Sequence, residues 1–292
     1  MAALDLRPLS LGELLDRTFS LYRSHFLLFL GISAIPRVFV LLIQLAQTLL
    51  SPATGVFSVP PNPNLPGQFP VFSPTGIAYA AVFGFAAVVA SVLASMLSQG
   101  ATVFAVSDLY LGSPTTLAGA FRRVRGELGT IFGVAVLGGL AVIGGLILFI
   151  IPGIYLALRL AIGVQAAVLE NIGPRSALSR SWALTQDNAG RVFLVYFLYG
   201  CLLYGAIALF GVPFGVGVVL AKNNPDLVRM FTLLTQVGSF IAEALAIPFA
   251  TIAMSLFYYD MRVRKEGFDL QVMMNPAGGV APAASGMPSL LS

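Results

Sequence analysis

The sequence predicts an all-α, polytopic membrane protein with six transmembrane helices, arranged as three hairpins that are each preceded by an amphipathic interfacial helix. Three observations support this fold class. Apolar residues make up 58% of the 292 residues, charged residues only 10%, and the mean hydropathy is +0.90, whereas about a quarter of the residues in soluble domains are charged. Six stretches reach the roughly 20 apolar residues that a spanning helix needs. Lys and Arg are unevenly distributed between the connecting segments.

The predicted spans contain Gly and Pro, as membrane helices often do. They lie near Phe26–Leu50, Gly76–Val106, Leu128–Ile151, Gly153–Leu169, Val192–Leu220 and Leu227–Tyr259. The third and fourth spans meet at Ile151-Pro152-Gly153. Because proline stops a helix and glycine permits a sharp turn, a tight hairpin is expected there. The segment from Ser51 to Thr75 is rich in Pro, Gly, Ser and Asn and predicts an irregular loop.

Positive charges predict the orientation, because short loops rich in Lys and Arg stay in the cytoplasm. One side of the membrane receives only Lys222 and Arg229. The other side receives Arg7, Arg17, Arg23, Arg122, Arg123, Arg125, Arg175, Arg180, Arg191, Arg262, Arg264 and Lys265. Both termini are therefore expected in the cytoplasm, with the protein in the cell membrane. The N-terminal residues lack the pattern of a cleavable signal, so we expect the first span to be retained.

The expected organisation is one transmembrane domain, residues 1–270, followed by a disordered cytoplasmic tail, residues 271–292. Within the domain, three windows align without a gap, at residues 10–31, 112–133 and 173–194. They share a leucine, then a small residue three positions later, then an aromatic: Leu15, Leu117, Leu178; Thr18, Ala120, Ser181; Phe19, Phe121, Trp182. The chain is thus predicted to contain three repeat units, near residues 10–110, 112–170 and 173–262.

Each window is predicted to begin as an amphipathic helix. Ser10 with Glu13 predicts a capping box, while Pro114 and Pro174 are expected in the first turn of their helices. We expect these helices to lie at the membrane interface, with a cytoplasmic extension packed on the bundle as the alternative. The candidate lipid-headgroup contacts are Arg17, Arg23, Arg122, Arg123, Arg125, Arg180 and Trp182.

Three blocks carry a family resemblance: LRPLSLGELLDRTFSLYRSHF at the start, PGIYLALRL with AVLENIGPRSALSRSWALT in the centre, and FYYDMRVRKEGFDL near the end. They resemble the bacterial proteins named after the membrane domain of glycerophosphoryl diester phosphodiesterase. The resemblance covers nearly the whole chain and implies a membrane fold in a prokaryotic cytoplasmic membrane. In the fusions that give the family its name, catalysis belongs to a separate metal-dependent barrel with paired histidines. This chain has one histidine, His25, so phosphodiesterase activity is not implied.

Three charged residues fall inside predicted spans, where a charge is costly and marks a candidate functional site. At about 1.5 Å per residue, Arg37 and Glu243 lie at similar depth near mid-membrane, and Arg159 lies in the outer half. One hypothesis makes the three a polar site for an anionic or zwitterionic solute or lipid headgroup. The other makes Arg37 and Glu243 a structural ion pair. No acidic residue matches the depth of Arg159, so it faces water, snorkels to the headgroups or binds a ligand.

Other polar and small residues have structural interpretations. Gly138, Gly139, Gly144 and Gly145 predict tight packing in the third span, and Gly211 with Gly215 in the fifth. Pro36, Pro213 and Pro248 interrupt three spans. The carboxylates Asp108, Glu127, Glu170, Asp187, Asp260 and Glu266 lie among the cytoplasmic arginines and predict a solvated ionic network.

The sequence shows no phosphate-binding glycine loop, histidine-rich metal spacing or serine-nucleophile elbow. We therefore expect no enzyme activity, no cofactor and no metal site. The predicted function is a non-enzymatic scaffold or accessory component of a cell-envelope system. The alternative is a transporter or lipid-binding protein with a polar intramembrane site. Expected partners are membrane lipids and other membrane or cytoplasmic proteins, and not nucleic acid.

Overall fold

The computed structural model describes residues 8–50, 57–58 and 71–267. The helices are α1 (Leu11–Ser24), α2 (Phe26–Leu49), α3 (Pro74–Tyr110), α4 (Leu117–Leu148), α5 (Ile150–Arg159), α6 (Gly163–Glu170), α7 (Pro174–Thr185), α8 (Ala189–Phe210), α9 (Val212–Leu220) and α10 (Pro225–Glu266). Two short strands, β1 (Phe57–Ser58) and β2 (Val71–Phe72), pair antiparallel between α2 and α3. Arg7, most of the predicted loop and the tail 271–292 lie outside the described residues.

Six helical segments are long and apolar enough to cross a membrane, which confirms the predicted fold class. They are α2, α3, α4, α5 with α6, α8 and α10. Two predicted spans are each divided into two helices. The fourth is broken between Arg159 and Gly163, and the fifth is broken at Gly211, just before Pro213 at the start of α9.

The turn between the third and fourth spans was predicted a few residues too late. Phe149, not Ile151-Pro152-Gly153, separates the two helices, and its extended backbone (φ −162°, ψ 152°) forms both the end of α4 and the start of α5. Pro152 and Gly153 lie inside α5. Proline fits here because the first helical turn has no intrahelical acceptor for the N–H that proline lacks.

Glycine packing joins α4 to α5 at one point. A Cβ added at Gly145 would lie 2.9 Å from the Gly153 Cα, so only glycine allows this approach. The tight packing predicted for the third span is thus confirmed at Gly145. It is wrong at Gly139 and Gly144, where an added Cβ would meet nothing within 4 Å. In the fifth span, the predicted packing is wrong at Gly215, which has nothing within 4 Å, and is confirmed at Gly211. A Cβ added at Gly238 of α10 would overlap the Phe210 carbonyl and lie 3.4 Å from the Gly211 Cα.

The amphipathic segments differ in how they join their spans. Helices α1 and α7 are separate, and α1 begins with the predicted capping box, in which the Ser10 N–H donates to Glu13 at 2.7 Å. Pro174 is in the first turn of α7, as predicted. The second segment is instead continuous with its span, because α4 runs unbroken for 32 residues. It begins after the capping residue Thr116, so the prediction that Pro114 starts it was wrong.

The structure divides into two compact units. The first comprises Met1–Ile32, Met96–Cys201 and Ile247–Ser292, and the second comprises Ser33–Ser95 and Leu202–Ala246, each over its described residues. Helices α2, α3, α8 and α10 contribute residues to both units. Helices α1 and α4 to α7 belong to the first unit alone, and this unit contains all residues of the three repeat windows.

In the first unit, the end of each repeat window lies against the start of the next. A Cβ at Gly31 would overlap Leu117, and a Cβ at Gly133 would overlap Pro174. From the third window, Arg191 donates to the Leu9 carbonyl at 2.8 Å, just before the first window begins. The three windows therefore contact one another in cyclic order.

Each amphipathic segment also packs on the second span of the preceding repeat. The start of α4 contacts α3, where Arg123 pairs with Asp108. Helix α7 contacts α6, where Arg180 pairs with Glu170. The first segment contacts α10, where the Leu9 N–H donates to Asp260. The small residue common to the windows is buried in all three: Thr18, Ala120 and Ser181. An acidic residue near the end of each second span thus contacts the amphipathic segment of the following repeat, and the one in the last span contacts the first segment.

Candidate functional site

Arg37 and Glu243 form an ion pair in the second unit. The Arg37 Nη1 lies 2.7 Å from the Glu243 Oε2, with the Arg37 side chain 12% exposed and that of Glu243 41% exposed. The Arg37 Nε is enclosed and makes no hydrogen bond within the described residues. The sequence placed these two residues at one depth, and the structure joins them.

Two further polar contacts lie between α2 and α10 in this unit. The Ser33 hydroxyl donates to the Ala244 carbonyl at 2.7 Å, and the Gln236 amide donates to Thr48 at 2.7 Å. Partner positions descend along α10 as they rise along α2, so these helix segments run antiparallel. The ion pair is one of three contacts that fix their register.

Arg159, the third residue of the predicted polar site, belongs to the first unit and lies at the end of α5. Its guanidinium carbon lies 4.4 Å from the centroid of the Trp182 ring and 5.7 Å from that of Tyr155. The two rings meet edge to face, with centroids 5.9 Å apart. Arg159 is 4% exposed, so this cation is buried with two aromatic rings beside its guanidinium. Cation–π attraction offsets part of its desolvation cost.

Helix α7 holds the break that follows Arg159. The hydroxyls of Ser181 and Thr185 both donate to the Arg159 carbonyl at 2.9 Å, and the Ile162 N–H donates to the Ser181 oxygen at 3.3 Å. These bonds satisfy backbone groups that the break leaves without intrahelical partners. Ser181 was noted in the sequence only as the small residue of the repeat, and nothing there predicted its part in fixing a broken span.

The arginine-rich end of the first unit, formed by Arg123, Arg180, Arg191, Arg262, Arg264 and Lys265, contains two networks. In the first, a buried carboxylate accepts a hydrogen bond from the backbone of the N-terminal segment. Asp260 accepts from the Leu9 N–H at 2.7 Å and from Arg191 at 2.8 Å. Arg191 and Arg264 both donate to the Leu9 carbonyl. We call Leu9, Asp260, Arg191 and Arg264 the Leu9 clamp.

The second network is centred on Glu170. It accepts from Arg180 at 2.8 Å and from the Tyr258 hydroxyl at 2.7 Å, and Arg180 also pairs with Glu266. Burial lowers the pKa of Arg180, but the hydrogen bond and charge of Glu170 and the charge of Glu266 raise it, and the net shift is upward. The solvated network predicted from the sequence is wrong at Asp260, whose side chain is 0% exposed, and at Glu170, at 6%.

The candidate lipid-headgroup residues have different surroundings. Arg23, Arg122 and Arg125 are exposed, and Arg17 is half-buried. Protein contacts are seen for three of the seven candidates and do not exclude contacts of the rest: Arg123 pairs with Asp108, Arg180 belongs to the Glu170 network, and Trp182, 39% exposed, lies over Arg159. Their contact with lipid stays a prediction.

Helices long and apolar enough to cross a membrane six times define a multi-pass membrane protein. No family model, curated protein or solved structure matches this chain. The resemblance to the glycerophosphoryl diester phosphodiesterase membrane-domain proteins therefore stays a prediction.

Proposed function

We propose that this chain is a non-enzymatic scaffold or accessory component of a cell-envelope system, held in the cytoplasmic membrane with both termini in the cytoplasm. The observation that carries the proposal is that most of the described charged side chains that are not exposed form ion pairs within the chain. Arg37 pairs with Glu243, and Asp260 and Glu170 are centres of closed networks. Charges used in this way stabilise one arrangement of helices.

The apolar sides of several spans support an interaction role. In the most apolar windows of α3 and α8, only 6% and 11% of residues are buried, compared with 67% in α10. Phe85 on α3 and Tyr204 on α8 are both 73% exposed. Such surfaces face lipid or a neighbouring membrane protein.

Site-specific photocrosslinking in native membranes tests the scaffold proposal. A photoreactive amino acid is placed separately at Phe85 and at Tyr204. A scaffold is expected to give one defined protein adduct at an interface position and lipid adducts at the other. If the protein adduct forms at Phe85, substituting its neighbours Val82 and Val88 with Trp should abolish it. Lipid adducts alone at both positions would argue against a protein partner on these faces.

A second candidate function, lipid binding at a polar intramembrane site, is favoured by Arg159. This arginine is 4% exposed and forms no ion pair with any residue in the described part of the chain. A buried charge without a counter-ion is costly and is usually kept for a function. The predicted partner is a membrane lipid.

A further inference from the structure

Arg159 is a buried cation whose hydrogen-bonding capacity is unused. Its Nε is enclosed and makes no hydrogen bond within the described residues. Its neighbours Trp182 and Tyr155 offer ring faces, which attract a cation but accept no charge-assisted hydrogen bond of the kind a carboxylate gives. An anion is therefore the chemical group that Arg159 lacks.

The repeat shows that the fold does not need a cation at this position. Counting back eleven residues from the acidic residue of each second span, Asp108, Glu170 and Asp260, leads to Leu97, Arg159 and Phe249. The contacts agree with this correspondence. Phe249 packs against Phe19 with ring centroids 4.7 Å apart, as Arg159 packs against Trp182, and Phe19 and Trp182 occupy the same position of their windows.

The broken span carries a second unused polar group. The Gln165 Oε1, in α6, is enclosed and unpaired within the described residues, and Gln165 is 1% exposed. It is an acceptor, so it needs a hydroxyl or another donor. Arg159 is about eleven residues, or roughly 16 Å, from the end of the span at Glu170. Discontinuous helices at such depth are where membrane proteins build ligand sites.

We propose that Arg159 and the rings of Trp182 and Tyr155 form a binding site for a phosphate group. The guanidinium of arginine presents paired N–H groups as a fork that matches two phosphate oxygens, and its charge is permanent. The guanidinium lies beside both rings and is 4% exposed, and an ionic hydrogen bond is stronger where little water competes for it. The phosphate belongs to a lipid headgroup or to free phosphate, which have the same recognition chemistry. This inference rests on the second proposed function and names its ligand class.

The test uses the intrinsic fluorescence of Trp182, the only tryptophan of the chain. Purified protein in a maltoside detergent is titrated with dioctanoyl phosphatidic acid, with dioctanoylglycerol, which lacks the phosphate, and with inorganic phosphate. We expect a saturable change with phosphatidic acid and none with dioctanoylglycerol. Arg159→Leu should weaken binding about tenfold or more, because a charge-assisted bidentate bond is lost.

Controls separate loss of the site from loss of the fold. Arg159→Leu should fold, because Leu97 occupies the corresponding position, and Arg159→Lys, which keeps a charge without the fork, should bind with intermediate affinity. Arg122→Leu, an exposed arginine of the same unit, should bind like the wild type. A response to inorganic phosphate that also depends on Arg159 supports the site and identifies free phosphate as its source.

Two results would overturn the site. One is equal affinity for phosphatidic acid and dioctanoylglycerol, and the other is unchanged phosphate affinity in both Arg159 variants. Native mass spectrometry distinguishes this failure from failure of lipid binding as a function. Lipid retained equally by wild type and Arg159→Leu would leave lipid binding standing without this site. No retained lipid and no phosphate response in the wild type would reject both.

Discussion

At the scale of single residues, the pair of Arg37 and Glu243 is the clearest link between sequence and structure. Both residues lie inside apolar helices, and their charged atoms are 2.7 Å apart. Removing one partner leaves the other without a counter-ion in surroundings that solvate it poorly. Removing one partner is therefore expected to destabilise the protein more than removing both.

We expect Arg37→Leu alone to lower the free energy of unfolding by about 2 kcal/mol, a value reduced from that of a fully buried pair because Glu243 is partly exposed. The double variant Arg37→Leu with Glu243→Leu should recover most of this loss. Unfolding in detergent, followed for both single variants and the double variant, gives the coupling energy. A coupling energy near zero would show that the pair is not structural, and would return these residues to the list of ligand-binding candidates.

The buried carboxylate of Asp260 leads to a second prediction. Asp260→Asn should lower the free energy of unfolding by about 3 kcal/mol, because Arg191 and Arg264 lose their shared anion. Thermal unfolding measures the change. Asp187→Asn is the matched control, since Asp187 is exposed and its positive φ of 66° also suits asparagine. Equal effects of the two substitutions would mean that the Leu9 clamp adds little to stability.

The sequence predicted the Arg37–Glu243 pair because one cation and one carboxylate fell at equal distances along apolar spans. It could not predict that Asp260 is buried while Asp187 is exposed. Both lie among arginines in the sequence, and only the structure shows that the backbone of Leu9, some 250 residues away, binds Asp260. Gln165 was missed for the same reason, since burial of a lone amide depends on packing and leaves no pattern in the sequence.

At the scale of secondary structure, the α4–α5 hairpin shows how two glycines determine a contact. Gly145 and Gly153 approach so closely that an added Cβ would lie within 2.9 Å of backbone, while the adjacent Gly144 faces open space. Glycines that look alike in the sequence therefore have different functions. The hydrophobic pattern predicted the span that contains both glycines. It did not predict which side of the helix each one faces, and this side is what distinguishes Gly145 from Gly144.

Gly145→Ala should lower the free energy of unfolding by about 1–3 kcal/mol, because the methyl group forces α4 and α5 apart. Gly144→Ala, one residue away, should have no effect or stabilise slightly, since alanine is the better helix former. The two variants are compared by thermal unfolding in the same detergent. Similar melting temperatures for the two would contradict the close contact seen at Gly145.

Helix ends were harder to predict than helices. The sequence located all six apolar segments, but two prolines were misinterpreted. Pro114 was expected in the first turn of α4 and lies before it, and Pro152 was expected to end the third span and lies inside the next helix, α5. A proline is compatible with both situations, because the first turn of a helix and an extended segment have similar φ values. The break after Arg159 had no proline at all. It is held by hydroxyls of α7.

At the scale of the whole molecule, the alternation of charged and apolar segments predicts which parts face each side of the membrane. Labelling with a membrane-impermeant maleimide tests this. In a Cys201→Ser background, which removes the only cysteine, Asn223→Cys should be labelled in intact cells. Ser176→Cys, beside the arginine-rich end, should be labelled only after the membrane is permeabilised. The opposite pattern would reverse the orientation, and labelling of both in intact cells would contradict the topology.

The sequence predicted the class of the protein and its six apolar spans more fully than it predicted a site. Hydropathy and repeats are sums over many residues, so errors at single positions matter little. A site depends on a few side chains, and the three predicted residues illustrate this: Arg37 and Glu243 pair with each other, while Arg159 is enclosed by the Trp182 and Tyr155 rings.

The Leu9 clamp has a consequence for the order of events during synthesis. The groups that bind Leu9 come from positions 191, 260 and 264, so the chain makes the first part of this contact early and the remainder only when the last span is complete. Until then, Leu9 lacks two of the three side chains that bind it, Asp260 and Arg264. Nascent chains that stop before Asp260 should therefore leave α1 open to proteases, and full-length chains should protect it.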